Sequence, residues 1–558
     1  MGESRMSLNA IKGKEQSINY GTLRAMVVDD FPGMRSALKM TLSNFGITKI
    51  DLASNAAEVI FKVGNNHYDV ILCDFNLGEG RDGQQLLEEL RHRGLINLDT
   101  AFIMVTAESV YEKVVATAEL APDDYMIKPF SAEVIRNRLD GILLRKLAFA
   151  NTYRHYEAND LEAAVTDCDE IIRNHPKYVV DALRFKGEVL NAMGRFDEAE
   201  ALYKQVINMR AIPWARLGLA KALHLQKKDE EAEELLHDVL EKTPELVSAY
   251  DLLADVRIAK KDTAGAQTAL QQGVAISGKT VRRQQKLGAV ALENGDLETA
   301  RSAFTTVLDK GQHSVFVSPS DFGNLCRVQV EQGNVNGAMD TLKKGKHTLQ
   351  SSPEGQMVAA VVQGMAHTKA GRNEEAKKAL DEASRLRGEG ARVDEKLMLD
   401  MAGTCMAQGR LEEADTIVGE VARNAHDSEA LLAKARRLYE ESGRGDAGAK
   451  VLAEATSDVR KLNNEGVILA HKGEFKSAVD RLITACRIAP FNPRILMNGI
   501  WVILKYLEQS GMDNEMLDEA TRLLTEVEKQ APGHARIPGL RNQMKDVETR
   551  FGIRRRSA

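Results

Sequence analysis

Cysteine is sparse in this chain: the five that occur, Cys73, Cys168, Cys326, Cys405 and Cys486, lie far apart, are odd in number and form no C-x-x-C pair. That excludes a disulfide framework and a cysteine-based zinc site, and it fits a reducing cytoplasm. The twelve histidines show no H-x-x-x-H or H-E-x-x-H spacing, so histidine ligation of a metal has no support either. No stretch approaches the uninterrupted apolar length that a membrane span needs, and the first twenty-odd residues carry no run of signal-peptide type. Met6 stands where a myristoylation signal wants Ser or Thr. Positive charge is not in excess: the formal net charge is −6, and the closing Arg554-Arg555-Arg556 reads as a solvated basic tail. The expectation is a soluble cytoplasmic protein without membrane insertion and without a nucleic-acid partner.

Proline (12 residues) and aromatic side chains (5%) are also scarce, whereas Ala, Leu, Glu, Lys and Arg crowd everything after about Leu143. This composition predicts a long helical region. At 558 residues the chain is too long for one core. The pattern divides it into a loose N-terminal extension (1–22), an α/β unit (23–145), a helical array (146–536), and a C-terminal helix with the basic tail (537–558).

Between 23 and 145, apolar strand-like runs alternate with helical segments, the sign of a doubly wound parallel sheet. Arg24–Val28 reads as the first strand, followed by Lys49–Leu52, a third ending on Asp74, Ala101–Val105 and Tyr125–Ile127. A last helix closes the unit near Arg145. Every conspicuous polar residue falls at the same end of a strand: Asp29 and Asp30 after the first, Asp74 at the third, Thr106 after the fourth, Lys128 after the fifth. In a parallel sheet those ends share one edge. Three carboxylates repel one another unless a hard dication such as Mg²⁺ sits among them. Lysine and threonine supply a charge and a hydroxyl for phosphoryl oxygens. The set describes phosphoryl transfer onto Asp74, and a structural ion-pair network is the alternative use of the same residues.

Val27-Val28-Asp29-Asp30-Phe31-Pro32-Gly33-Met34-Arg35, Asp74, Val105-Thr106-Ala107 and Tyr125-Met126-Ile127-Lys128-Pro129-Phe130 together resemble the receiver domain of two-component response regulators. The resemblance implies a five-stranded, flavodoxin-like receiver whose Asp74 accepts phosphate from a histidine kinase or phosphotransfer protein. It implies that Asp30, Asp74 and the main-chain carbonyl of Asn76 bind Mg²⁺, with Asp29 acting through water. Thr106 and Lys128 would contact the phosphoryl group, Tyr125 would move with Thr106 as a switch, and Lys128-Pro129 would be cis. One segment departs from the family: Leu77–Gly83 is glycine-rich and longer than usual. Its Gly78-Glu79-Gly80-Arg81-Asp82-Gly83 matches a dinucleotide fingerprint, but it follows the third strand, and acids stand where a pyrophosphate must approach.

From residue 146 one small residue recurs. Ala164, Ala199, Ala232, Ala266 and Ala300 are spaced 35, 33, 34 and 34 residues, and Ala338, Ala376 and Ala414 follow at 38 each, before Ala478 and Ala520. Five residues before many of them stands a glycine (Gly194, Gly295, Gly333, Gly371, Gly409, Gly473), where a helix can end with positive φ. Twelve before come small residues such as Gly187, Gly288 and Gly466, and four after come large ones such as Tyr203, Phe304 and Leu482. Helix hairpins stacked into an α-solenoid follow from this pattern, which resembles the tetratricopeptide repeat with its period of about 34 residues. About ten repeats are expected, with 425–458 fitting poorly. Gly273–Thr280 matches a phosphate-binding loop but follows a helix, so it reads as a turn between repeats. Trp214 reads as core packing.

The expected function is a response regulator in a phosphorelay, with no output enzyme and with the solenoid binding one or more unknown protein partners. The alternative is a scaffold that uses the receiver as a phosphorylation-independent docking module.

Overall fold

The computed structural model describes residues 18–553 apart from 79, 108–121, 210–211, 279, 313, 532–533 and 535. The alternating segment forms a five-stranded parallel sheet of β1 (Arg24–Val28), β2 (Lys49–Ala53), β3 (Val70–Asp74), β4 (Ala101–Thr106) and β5 (Asp124–Ile127), in the order β2-β1-β3-β4-β5. Around it lie α1 (Pro32–Asn44), α2 (Ala56–Val63), α3 (Gly83–His92) and α4 (Ala132–Ala148). Because strand side chains alternate between faces, Met26, Ile71, Phe102 and Met104 pack against Leu86, Leu87 and Leu90 of α3. Val27, Leu72, Ile103 and Val105 pack against Leu38 and Leu42 of α1 and Leu139 and Leu143 of α4. Burial on both faces explains why the central strands are almost wholly apolar.

Two local expectations are corrected. Tyr20–Thr22, expected within a loose extension, forms a 3₁₀ turn, and buried Tyr20 donates its hydroxyl to Asp140 at 2.6 Å. Residues 1–17 of that extension, and the basic tail 554–558, lie outside the described residues. The last helix does not stop at Arg145 but runs to Ala148, and the next begins at Ala150. Only Phe149 separates them; it is 1% exposed and stacks on Tyr153 at 5.6 Å. Lys146 Nζ, also buried, donates to Asp123 Oδ1 and to the carbonyl of Leu98, each at 2.6 Å. The amide of Leu98 donates to Glu157 of the first helix after the junction, at 2.6 Å. No linker separates the α/β unit from the array.

The chain forms two compact units, Met1–Val317 and Ser318–Ala558. The first holds the sheet and five helix hairpins, from Ala150–Glu157 with Leu161–Asn174 to Val281–Glu293 with Leu297–Lys310. Its repeat alanines are fully buried. The anticipated glycines do take positive φ, and Asn159, Lys227 and Lys261 take it at the equivalent positions, with φ of 55°, 67° and 64°. The turn geometry is therefore imposed by hairpin packing even where the residue resists it. Large residues meet small ones: a Cβ on Gly187 or on Gly218 would come within 2.5 Å of the Tyr203 ring, so Tyr203 faces its own hairpin and the next one at once. Trp214 packs edge-on against the same ring, as core. Gly273 lies inside Thr263–Ile276, and the turn after that helix leads to Val281, so the described part of the phosphate-loop match joins two hairpins; Lys279 lies outside the described residues.

The second unit holds six further hairpins and a final helix, Ile537–Arg550. Its 38-residue spacings come from an inserted short helix, Lys346–Gln350, and from longer helices, Pro353–Lys369 and Asn373–Gly388. The poorly fitting stretch is a hairpin after all. Glu429–Glu441 turns at Gly443 (φ 69°) into Gly445–His471, a single helix of 27 residues. Gly448 occupies the place of the repeat alanine, because a Cβ there would lie 2.4 Å from Tyr439. The helix then continues without a turn into the first half of the next hairpin, whose partner is Phe475–Ile488. Losing that turn blurred the spacing between Ala414 and Ala478.

Candidate functional site

The strand ends converge as the alternation requires. Asp29 and Asp30 follow β1, Asp74 ends β3, and one carboxylate oxygen from each lies within 4.8 Å of the other two. Asp29 is buried, Asp74 half-buried and Asp30 exposed, so the cluster opens to solvent on one side. Lys128, just past β5, reaches across the sheet edge and donates to Asp29 Oδ2 at 3.1 Å and Asp74 Oδ1 at 3.0 Å. Its amide donates to the carbonyl of Thr106 at 2.8 Å, which ties the fourth and fifth strand ends together. Thr106 is buried at the end of β4, and the Lys128-Pro129 bond is cis.

The charges are unequal in their settings. Burial pushes the Asp74 carboxyl up from its ordinary value, Lys128 opposes that shift by hydrogen bond and charge, and neighbouring Asp29 adds to it. Burial alone would lower Lys128, but its bonds to Asp74 and Asp29 carry it above its ordinary value. Two of the three carboxylates, Asp29 and Asp74, thus share one lysine, and a surplus of negative charge faces the opening. Oxygen donors of this number and spacing fit a hard dication of the Mg²⁺ type. Asn76 contributes differently: its side-chain oxygen accepts from the amide of Gly78 at 3.1 Å, which leaves the main-chain carbonyl as its donor.

Three residues that sequence reasoning did not single out hold this edge in place. Arg35 Nη1, one turn into α1, donates to the carbonyls of Asp29 at 2.5 Å and Asp30 at 3.0 Å. Gly83 starts α3 so close to β3 that a Cβ would lie 2.4 Å from the main-chain oxygen of Asp74, and its amide donates to Phe75 at 2.7 Å. Gln85 closes a capping box with Asp82. Arg35 carried a signal, as a cation one turn after the paired aspartates, and Asp82-x-x-Gln85 carried the spacing of a capping box. Gly78 and Gly80, with φ of 76° and 108°, let the long loop turn beneath Asp30; Glu79 of that loop lies outside the described residues. Tyr125 is buried on β5, and among the described residues its hydroxyl has no hydrogen-bond partner. Cys73 is fully buried, its thiol pushed well up by burial, and it packs as strand core.

Residues 25–140 match the response regulator receiver domain, and residues 153–213 and 190–256 match tetratricopeptide repeats. The chain is a receiver domain followed by tetratricopeptide repeats. Its receiver is 27% identical over 123 residues to the chemotaxis protein CheY of Pseudomonas aeruginosa, covering 22% of this chain and 98% of that protein. It is 28% identical over 136 residues to CheY-3 of Vibrio cholerae, covering 23% of this chain and 98% of that one. Among solved structures, a tetratricopeptide repeat protein from Parabacteroides merdae is 15% identical, covers 46% of this chain and 97% of its own, and has a TM-score of 0.30. Among the described residues no helix is long and apolar enough to cross a membrane.

Proposed function

We propose that the receiver accepts a phosphoryl group on Asp74 and that the repeats carry the output, as binding to protein partners. The observation that supports it is the surplus of carboxylate at Asp29, Asp30 and Asp74 set against a single bridging lysine. Mg²⁺ would be held by Asp30, Asp74 and the Asn76 carbonyl, with Asp29 through water, and would neutralise charge on the transferring group. An Asp74 oxygen then forms the O–P bond as the N–P bond of a phosphohistidine donor breaks and the imidazole leaves. Lys128, already beside Asp74, pairs with a phosphoryl oxygen, and the Thr106 hydroxyl contacts another. Tyr125, buried beside β4, is the side chain free to follow Thr106.

The donor is a histidine kinase or phosphotransfer protein of the cytoplasm. In this reading the array binds and does not catalyse, and any enzymatic step is loss of the phosphoryl group from the receiver itself. Incubating the full chain with acetyl phosphate and Mg²⁺ tests the reading. Wild type takes up one phosphoryl group, Asp74→Asn takes up none, and equal labelling of the two would refute the assignment.

A further inference from the structure

α3 touches two things at once. Its first residue, Gly83, is pressed against the main chain of Asp74. Two residues on, the Gln85 side chain is divided between partners: its oxygen accepts from the Asp82 amide at 3.2 Å, and its nitrogen donates to the carbonyl of Lys310 at 2.9 Å. Lys310 ends the second helix of the fifth hairpin. At the other end of α3, the His92 ring meets Phe316 edge-on at 5.2 Å. Phe316 is held in turn by Arg282, whose guanidinium lies 4.1 Å from the ring centroid, and by Gln285, which donates to its carbonyl at 2.9 Å. Between these two contacts sits Glu88, hydrogen-bonded to Gln84 at 3.2 Å. Burial pushes its own carboxyl up, against the opposing pull of Gln84 and of Arg282, and its charge adds to the effect of burial in pushing up the Tyr125 hydroxyl.

We propose that the rim of the fifth hairpin formed by Arg282, Lys310 and Phe316 is a docking surface for the receiver's own α3, and that phosphoryl transfer to Asp74 releases it. The release half rests on Asp74 being the phosphoacceptor; the docking half does not. One hydrogen bond and one ring contact make a marginal attachment, of a strength that a single new charge can reverse. The phosphoryl group must be accommodated by the loop from Phe75 to Asp82. That loop ends on the cap whose glutamine also holds Lys310, so it cannot adjust without disturbing the hairpin contact. Tyr125 and Glu88 give the same helix a second link to the site. Release would uncover Phe316, beside the already exposed Arg282, for a partner presenting a helix face with glutamate and histidine like that of α3.

Hydrogen–deuterium exchange on the full chain tests both halves. Phe316→Ala should speed exchange severalfold in 83–92 while leaving 161–174 unchanged, and Gln85→Ala should do so more weakly. Unchanged exchange in 83–92 for both variants would overturn the docking. Acetyl phosphate with Mg²⁺ should speed exchange in 83–92 and 311–317 of wild type and not of Asp74→Asn. If Asp74 is labelled and those segments stay as slow as before, the release is wrong. If Asp74 is never labelled, the release falls with the acceptor reading, while the Phe316→Ala arm still decides the docking.

Discussion

Asp74 is held in a state that works against the fold. Its folded-state value lies above the ordinary 3.8, so the neutral form is favoured relative to an unfolded chain. The stability linked to that proton is fully present below the unfolded value and is lost as pH rises through the folded one. At neutral pH the ionised side chain therefore destabilises the receiver. Asp74→Asn, neutral and of the same shape, is expected to unfold at a higher temperature than wild type near pH 7. The gap between the two, followed by thermal unfolding across a pH series, should narrow as pH falls toward 3.8. Gly83 makes the opposite case: Gly83→Ala drives a methyl into the Asp74 carbonyl, at a cost of about 1–3 kcal/mol in urea unfolding. What was legible at this scale, Asp29, Asp30, Asp74, Thr106 and Lys128, announced itself by side-chain type at the end of an apolar run. The roles of Arg35 and Gly83 did not, because these residues donate to main-chain carbonyls whose positions exist only once β1, β3 and α3 are packed.

Among the elements, the hairpins were legible wherever a turn punctuated them. Turn glycines, buried alanines and the pairing of Gly187 with Tyr203 all follow from one small residue counted along the chain. The stretch 425–458 was not, since it replaces the alanine with Gly448 and omits the turn that would have restarted the count. Gly448 separates two effects of comparable size. Alanine there would gain about 1 kcal/mol of helix propensity. The 2.4 Å approach to the fully buried Tyr439, whose hydroxyl is fixed by Asp415 at 2.6 Å, costs about 1–3 kcal/mol, and the clash should win. Gly141→Ala in α4 meets nothing within 4 Å and should stabilise by about 1 kcal/mol. Urea denaturation of the two variants should move in opposite directions.

At the scale of the whole molecule, the receiver runs into the array without a linker, and a buried ion pair pins the end of its last helix, α4, beside that junction. Lys146, 4% exposed, depends on Asp123, which also accepts from Arg145 at 3.2 Å and from the Phe102 amide at 3.0 Å. Burial lowers the Lys146 pKa, so the lysine is charged at a cost that Asp123 offsets. Asp123→Ala leaves that charge uncompensated, at about 3–5 kcal/mol. Limited proteolysis should then cut near Phe149, where wild type resists. A polypeptide joined this way transmits movement of α4 to the first hairpin without a slack segment to absorb it.

The 27-residue helix Gly445–His471 bears on how such a protein can change its length. Repeat arrays grow and shrink by copying or deleting whole hairpins at their turns. Across this helix there is no turn at which to cut, and the hairpins on either side share one rod. Gain or loss of a unit is open before Glu429 and after Ile488; between them the two hairpins can only be inherited, transplanted or removed together.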